Sequence, residues 1–171
     1  FQAPWNVGAM MSVFGANFGA AGARRNVTAG DIVAQKFPQS LGCIAVSGNG
    51  QNAPIAYVEN GQINIQAPAL DGVGPANMIV IANPGAPNEL RSDPIALTSQ
   101  LAFAPACFTF AGKSIAATSA DGSAIIADNS VVPTAVPAKP GDTIVMYLTG
   151  LGPTNPAFLP GDIPTVAATV V

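Results

Sequence analysis

Histidine is absent from this chain of 171 residues. Its absence excludes Ser-His-Asp and Cys-His catalysis and removes the commonest metal ligand. Charge is scarce too. Only 9% of residues are charged, six of them basic and scattered, for a net charge of −3. No basic stripe can form to follow a phosphate backbone, which argues against nucleic-acid binding. Aromatic residues make up 6%, with a single Trp, so the ring platforms that usually hold glycans are few. No apolar run reaches the roughly 18–20 residues of a membrane span. No signal peptide is visible, so export would imply a signal already removed. There are two cysteines, Cys43 and Cys107, 64 positions apart, which does not match a zinc-site spacing.

What is present is apolar and turn-rich. The chain is 49% hydrophobic, with 18 Gly and 16 Pro. Disorder would need the opposite balance of hydrophobicity and charge. The length allows one or two small domains with real cores, and the glycines and prolines leave little room for long helices. The cysteines read either as two buried thiols or as one disulfide in an exported protein. The few charges and many Asn, Gly and Thr favour a Cys43–Cys107 bridge. Such a bridge would close a long loop and contribute about 3–4 kcal/mol.

Short strand-like runs follow one another along the first part: Met10–Phe14, Cys43–Ser47, Ile55–Val58, Gln62–Gln66, Met78–Ala82 and Ile95–Thr98. Trp5 belongs to an apolar patch near the first of them. Arg24-Arg25 reads as a solvated pair, and Asn26-Val27-Thr28 as an exposed turn that also fits a glycosylation sequon. Asp31–Leu41 is the one place for a helical turn. Asn60-Gly61 between alternating runs predicts a hairpin closed by a type I′ turn, with both residues at positive φ. Pro68 ends that strand. About seven strands in some 95 residues is the pattern of an immunoglobulin-like sandwich. Its expected core is Val13, Phe14, Ile44, Val46, Tyr57, Ile63, Ile65, Ile79 and Ile81.

The chain then echoes itself. Gly8–Gly19 (GAMMSVFGANFG) aligns without a gap on Gly141–Gly152 (GDTIVMYLTGLG), placing Met11 on Ile144, Val13 on Met146 and Phe14 on Tyr147. A repeat implies a second structural unit. Short strands are expected at Cys107–Phe110, Ser114–Thr118 and Ser123–Ala127, and a last one at Thr165–Val171. The fold class is therefore all-β. An immunoglobulin-like sandwich over residues 1–99 is followed over 100–171 by the start of a second, incomplete one.

Met10–Gly19, the hairpin Ile55–Pro68 and the strand Met78–Gly85 resemble an IPT/TIG domain. The whole chain is similar to the C-terminal paralogous domain of large secreted proteins of Solibacter and other acidobacteria. Ala53–Pro68 matches that family's APLLYVSPTQINFQVP-like segment. Ala104–Thr109 (APACFT) matches its APGIFT-like turn, with Cys107 a departure. Asp121–Ser123 and Ala138–Pro153 match its DGS…NPAKPGDVVVIYATGLGP-like run. The resemblance implies a β-sandwich fold and a secreted, cell-surface location, and it brings no activity with it.

The acids offer little chemistry. Glu89 and Asp93 flank Arg91 in a proline-rich connection, and Asp121, Asp128 and Asn129 lack EF-hand spacing. Gly150–Gly152 is followed by Pro153, not by a helix, so it is no phosphate loop. No cofactor, metal or catalytic residue is expected, and the protein is read as non-enzymatic. A strand pair such as Thr143–Leu148 and Thr165–Val171 cannot bury its apolar face alone. Further chain or a partner is expected to cover it. The expected assembly edge is Thr165, Val166, Ala167, Ala168, Thr169, Val170 and Val171, pairing with a neighbouring molecule to give a homo-oligomer or extracellular filament. The alternative is a glycan-binding or accessory module of a larger secreted protein.

Overall fold

The computed structural model describes residues 5–70, 75–97 and 103–171. It is 2% helical and 40% strand, with antiparallel sheets, and so belongs to the all-β class. The chain divides into two compact units. One is Phe1–Ala104 together with Gly152–Val171, and the other is Pro105–Leu151. The division therefore differs from a simple split near residue 99, which itself lies outside the described residues. The last twenty residues return to the first unit.

Nine strands of the first unit come in order: β1 Met10–Phe14, β2 Arg24–Asn26, β3 Ile44–Gly48, β4 Gln51–Asn52, β5 Ile55–Glu59, β6 Gln62–Gln66, β7 Ala76–Ala82, β8 Leu90–Arg91 and β9 Ile95–Leu97. One sheet has the order β1-β6-β5-β2. The other runs β4-β3-β7-β8, with β9 also on β7. Among the described residues one 3-10 turn occurs, Ala29–Asp31, which shares only Asp31 with the stretch Asp31–Leu41 expected to hold a helical turn. Thr98, the expected end of β9, lies outside the described residues.

Side chains alternate across a strand, and the alternation builds the core. Ile63 and Ile65 on β6 are fully buried between polar Gln62, Asn64 and Gln66. Val13 lies opposite Ile63 and Met11 opposite Ile65. From the other sheet, Ile44, Val46, Ala76, Met78, Val80 and Leu97 join them in one cluster with Trp5, Ile55 and Val58. Trp5 is 0% exposed, and its indole N–H donates to the Pro68 carbonyl at 2.9 Å. That bond removes the cost of burying the one polar atom of the ring.

Two expected core residues, Phe14 and Ile79, fall on the outward parity and are not buried, while Ile81 is buried as expected. Phe14 is opposite Gln62, on the outward face, and is 73% exposed. Ile79 and Ile81 alternate with the core-facing Met78 and Val80. Ile81 is buried but stands outside the cluster, and Ile79 is half-buried. Tyr57 is half-buried, its hydroxyl donating to Glu59 Oε2 at 2.7 Å. A β-bulge between Ile55 and Tyr57 resets the face that follows.

The Asn60-Gly61 hairpin forms, with Glu59 opposite Gln62. Its turn is not type I′, because neither residue lies in the left-handed region. The loop after β1 explains this. Gly15 N–H donates to the Gly61 carbonyl and Phe18 N–H to the Asn60 carbonyl, both at 3.1 Å. Paired positive φ occurs instead at Asn49-Gly50 (46° and 86°), which joins β3 to β4.

These contacts predict unequal glycines. A Cβ on Gly48 would stand 2.7 Å from the Trp5 ring and 3.2 Å from Leu70, whereas on Gly61 it would meet only a backbone oxygen at 3.7 Å. Gly48→Ala is expected to cost about 1–3 kcal/mol through overpacking. Gly61→Ala should change stability by less than ~0.5 kcal/mol. Urea unfolding of the two variants checks this. Equal midpoints would refute the packing described around Trp5.

Candidate assembly surface

The second unit contains β10 Ala106–Cys107, β11 Thr109–Phe110, β12 Ser114–Ile115, β13 Ala117–Ser119, β14 Ile144–Met146 and β15 Leu148–Thr149. They form three two-stranded pairs, β10-β15, β11-β12 and β13-β14. The repeat is visible in the backbone. Gly8 and Gly141 have φ of 76° and 94°, and the aligned Asn17 and Gly150 have 63° and 71°. The surroundings are not repeated. β1 turns Val13 into a sixteen-residue cluster. In the second unit the buried apolar side chains among the described residues are the alanines Ala116, Ala117 and Ala135.

Ile144, Val145, Met146 and Tyr147 follow one another along the strand and are all exposed, Met146 by 50%. Both faces of this apolar strand are therefore open. Its pairing is one-sided. Ser119, Thr118 and Ala117 lie opposite Ile144, Val145 and Met146, and Cys107 and Ala106 lie opposite Leu148 and Thr149. Between them Tyr147 N–H donates to the Ala116 carbonyl at 2.9 Å, and its own carbonyl accepts from Phe108 N–H at 3.0 Å. Residues 106–107 and 117–119 thus serve as one interrupted partner along one edge, with β11-β12 an excursion between them. Beside Ile144 a cleft of about 300 Å³ has a mixed lining, apolar at Ile126, Val136 and Pro137 and polar or charged at Ser119, Lys139 and Asp142.

The returning segment carries the expected assembly edge. It is anchored to the first unit at residues 161–163. Gly161 N–H donates to Gln66 Oε1 at 2.6 Å, Phe37 N–H to the Gly161 carbonyl at 2.9 Å and Ile163 N–H to the Gln35 carbonyl at 2.8 Å. Lys36 is ion-paired with Asp162. Its one mark in the sequence is the pair Pro160-Gly161, where Gly161 takes φ 93°. Beyond it, Thr165, Val166, Ala167, Ala168, Thr169, Val170 and Val171 are all exposed. The expected seven-residue strand is shorter than predicted. Only β17, Thr169–Val170, is extended and paired, with β16, Thr154–Asn155. It does not pair with Thr143–Leu148.

The carboxylates serve their own loops. Asp31 is held low by hydrogen bonds from Thr28, hydroxyl and N–H, reinforced by Arg25. Glu89 is held low by Gly85 N–H and then Arg91. Asp162 is lowered by Lys36 and Leu159 N–H. Asp128 accepts from Ser130 N–H at 2.8 Å, and Asp142 accepts from Lys139 N–H at 2.8 Å. Arg24-Arg25 is not simply solvated. Arg24 pairs with Glu59 at 3.4 Å and Arg25 with Asp31 at 2.5 Å. No group of three or more His, Cys, Asp or Glu side chains suited to a metal occurs among the described residues. Among those residues no helix is long and apolar enough to cross a membrane.

The expected Cys43–Cys107 disulfide is not formed. Both residues are exposed free thiols. Cys43 occupies a tight turn at φ 62° before β3, and Cys107 pairs with Leu148 in β10 of the other unit. Comparison with protein-family models, with curated proteins and with solved structures gave no match.

Asp121 provides a pH test of the second unit. Its carboxylate accepts from Ser119 Oγ at 2.6 Å and from Ser123 N–H and Oγ at 3.0 and 2.8 Å. These bonds pull its pKa from 3.8 to about 2. A depressed folded-state pKa stabilises the turn at pH above 3.8, and that contribution is lost as pH falls through about 2. NMR titration of the Asp121 carboxyl should show a midpoint near 2 that rises in Ser119→Ala. A midpoint near 3.8 in the unaltered chain would contradict the turn geometry.

Proposed function

We propose that this protein is a non-enzymatic extracellular structural module, a subunit that joins its neighbours by strand addition into a cell-surface filament. The observation that carries this reading is β14, Ile144–Met146, with Tyr147 after it: apolar, exposed on both faces and paired along one edge. Burying such a strand needs material beyond its own unit, because two-stranded pairs are marginal in water. The two facing sheets of the first unit suit an immunoglobulin-like sandwich. Together with the run Ala138–Pro153, they support kinship with the secreted acidobacterial domain and the IPT/TIG fold. Low charge and abundant Thr, Gly and Asn suit an extracellular surface. The free thiols withdraw the support that a disulfide would have lent.

A second reading, a glycan-binding accessory module, rests on the outward face of β1, β6 and β5. Ser12 Oγ and Gln62 Nε2 both donate to Asn64 Oδ1, at 2.9 and 2.7 Å, with Phe14 and Tyr57 on the same face. Amides and rings together suit hydroxyl-rich ligands. The assembly reading is preferred because Tyr57 is half-buried and committed to Glu59, which leaves Phe14 as the one fully presented ring.

Mass in solution across a concentration series tests the assembly reading, with negative-stain microscopy of the most concentrated sample. The expected result is concentration-dependent growth into filaments. A monomer at every concentration that is retained on insoluble polysaccharide, and released by Phe14→Ala, would overturn it in favour of the second reading.

A further inference from the structure

The assembly reading leaves open which surfaces meet, and resting on that reading, the backbone geometry assigns them: we propose that Thr165–Val171 of one copy adds as a strand to the open edge of Ile144–Thr149 of a second copy. In an antiparallel ladder, alternate residues turn both N–H and C=O to the same neighbour. Tyr147 turns both toward residues 108 and 116. Val145 shares that side. Ile144, Met146 and Leu148 therefore present their backbone groups to the opposite edge, where no strand pairs among the described residues.

That edge lacks the usual protection. Exposed edges are normally blunted by charge, proline or a bulge, and residues 143–149 contain neither a charge nor a proline. The donor matches it. Thr165–Val171 is uncharged and proline-free, and rich in the β-branched residues that suit a pleated surface. It spans about 23 Å when extended, against about 20 Å for Ile144–Thr149. Its present ladder is two residues long, so little pairing is lost on transfer. The anchor at Gly161–Ile163 holds its root on the first unit and leaves the segment beyond it to extend. Val166, Ala168 and Val170 fall on one face of the added strand. Donor and acceptor are different patches of one chain, so the contact is heterologous and propagates head to tail.

Two proline variants of the 171-residue chain test the pairing. Met146→Pro removes an N–H from the open edge and leaves the β13 ladder its bonds, because edge strands tolerate proline on their unpaired side. Ala168→Pro disables the donor. Each variant alone should remain at the mass of one chain, 17.1 kDa, with the far-UV circular dichroism of the unaltered protein. Mixed in equal amounts they should form a heterodimer of twice that mass and nothing larger, since one supplies only an acceptor and the other only a donor. A synthetic peptide of Thr165–Val171 should also cap the unaltered chain and shorten its assemblies, a test independent of how the variants fold. Assembly of the unaltered chain that survives both prolines and excess peptide would overturn this pairing while leaving the assembly reading in place. A chain that never assembles would overturn both.

Discussion

An apolar β-strand needs cover on two faces and a partner on two edges. This single requirement separates the two units. β3 comes close to meeting it: every residue from Ile44 to Gly48 is buried, β7 pairs along the whole of one edge, and β4 pairs with Ser47 and Gly48 on the other. Ile144–Met146 is as apolar as β3 and meets almost none of it. The two strands have opposite environments, and the second environment is where an interaction is called for.

The first unit satisfies the requirement through parity and one large side chain. Ile63 and Ile65 face Val13 and Met11 on one side and the β3–β7 sheet on the other. Trp5 fills the space that Gly48 leaves open. A Cβ at position 48 would stand 2.7 Å from that ring, so either the ring or β3 would have to shift. The returning segment then ties residues 161–163 to this frame, so the exposed tail grows from a fixed point.

Much of the strand order was legible in the sequence. β1 and β6 begin and end where alternation and turn residues placed them, and Asn60-Gly61 does join β5 to β6. What was illegible was which face turns inward. A run such as Met78-Ile79-Val80-Ile81 is apolar at every position, so period 2 cannot choose between its two faces; Ile81 is buried as expected and Ile79 only half-buried. Phe14 differs: it shares the parity of polar Ser12 and lies opposite Gln62, so alternation along β1 places it outward. The turn at Asn60-Gly61 was misjudged because bonds from Gly15 and Phe18, distant in sequence, decide its backbone. The tail edge was partly legible. Its uncharged, β-branched run is plain in the sequence, while its partner within the chain is β16 and not residues 143–148. The open edge on the far side of Ile144–Thr149 could be found only from the ladder.

Amide hydrogen exchange resolved to single residues tests the central claim most directly. Val145 and Tyr147 face the internal ladder and serve as controls that should be protected at every concentration. Ile144, Met146 and Leu148 should exchange quickly in dilute protein and become protected as concentration rises. Protection of those three amides in dilute monomers, equal to that of Val145 and Tyr147, would mean the edge is already occupied within one chain and would contradict the account.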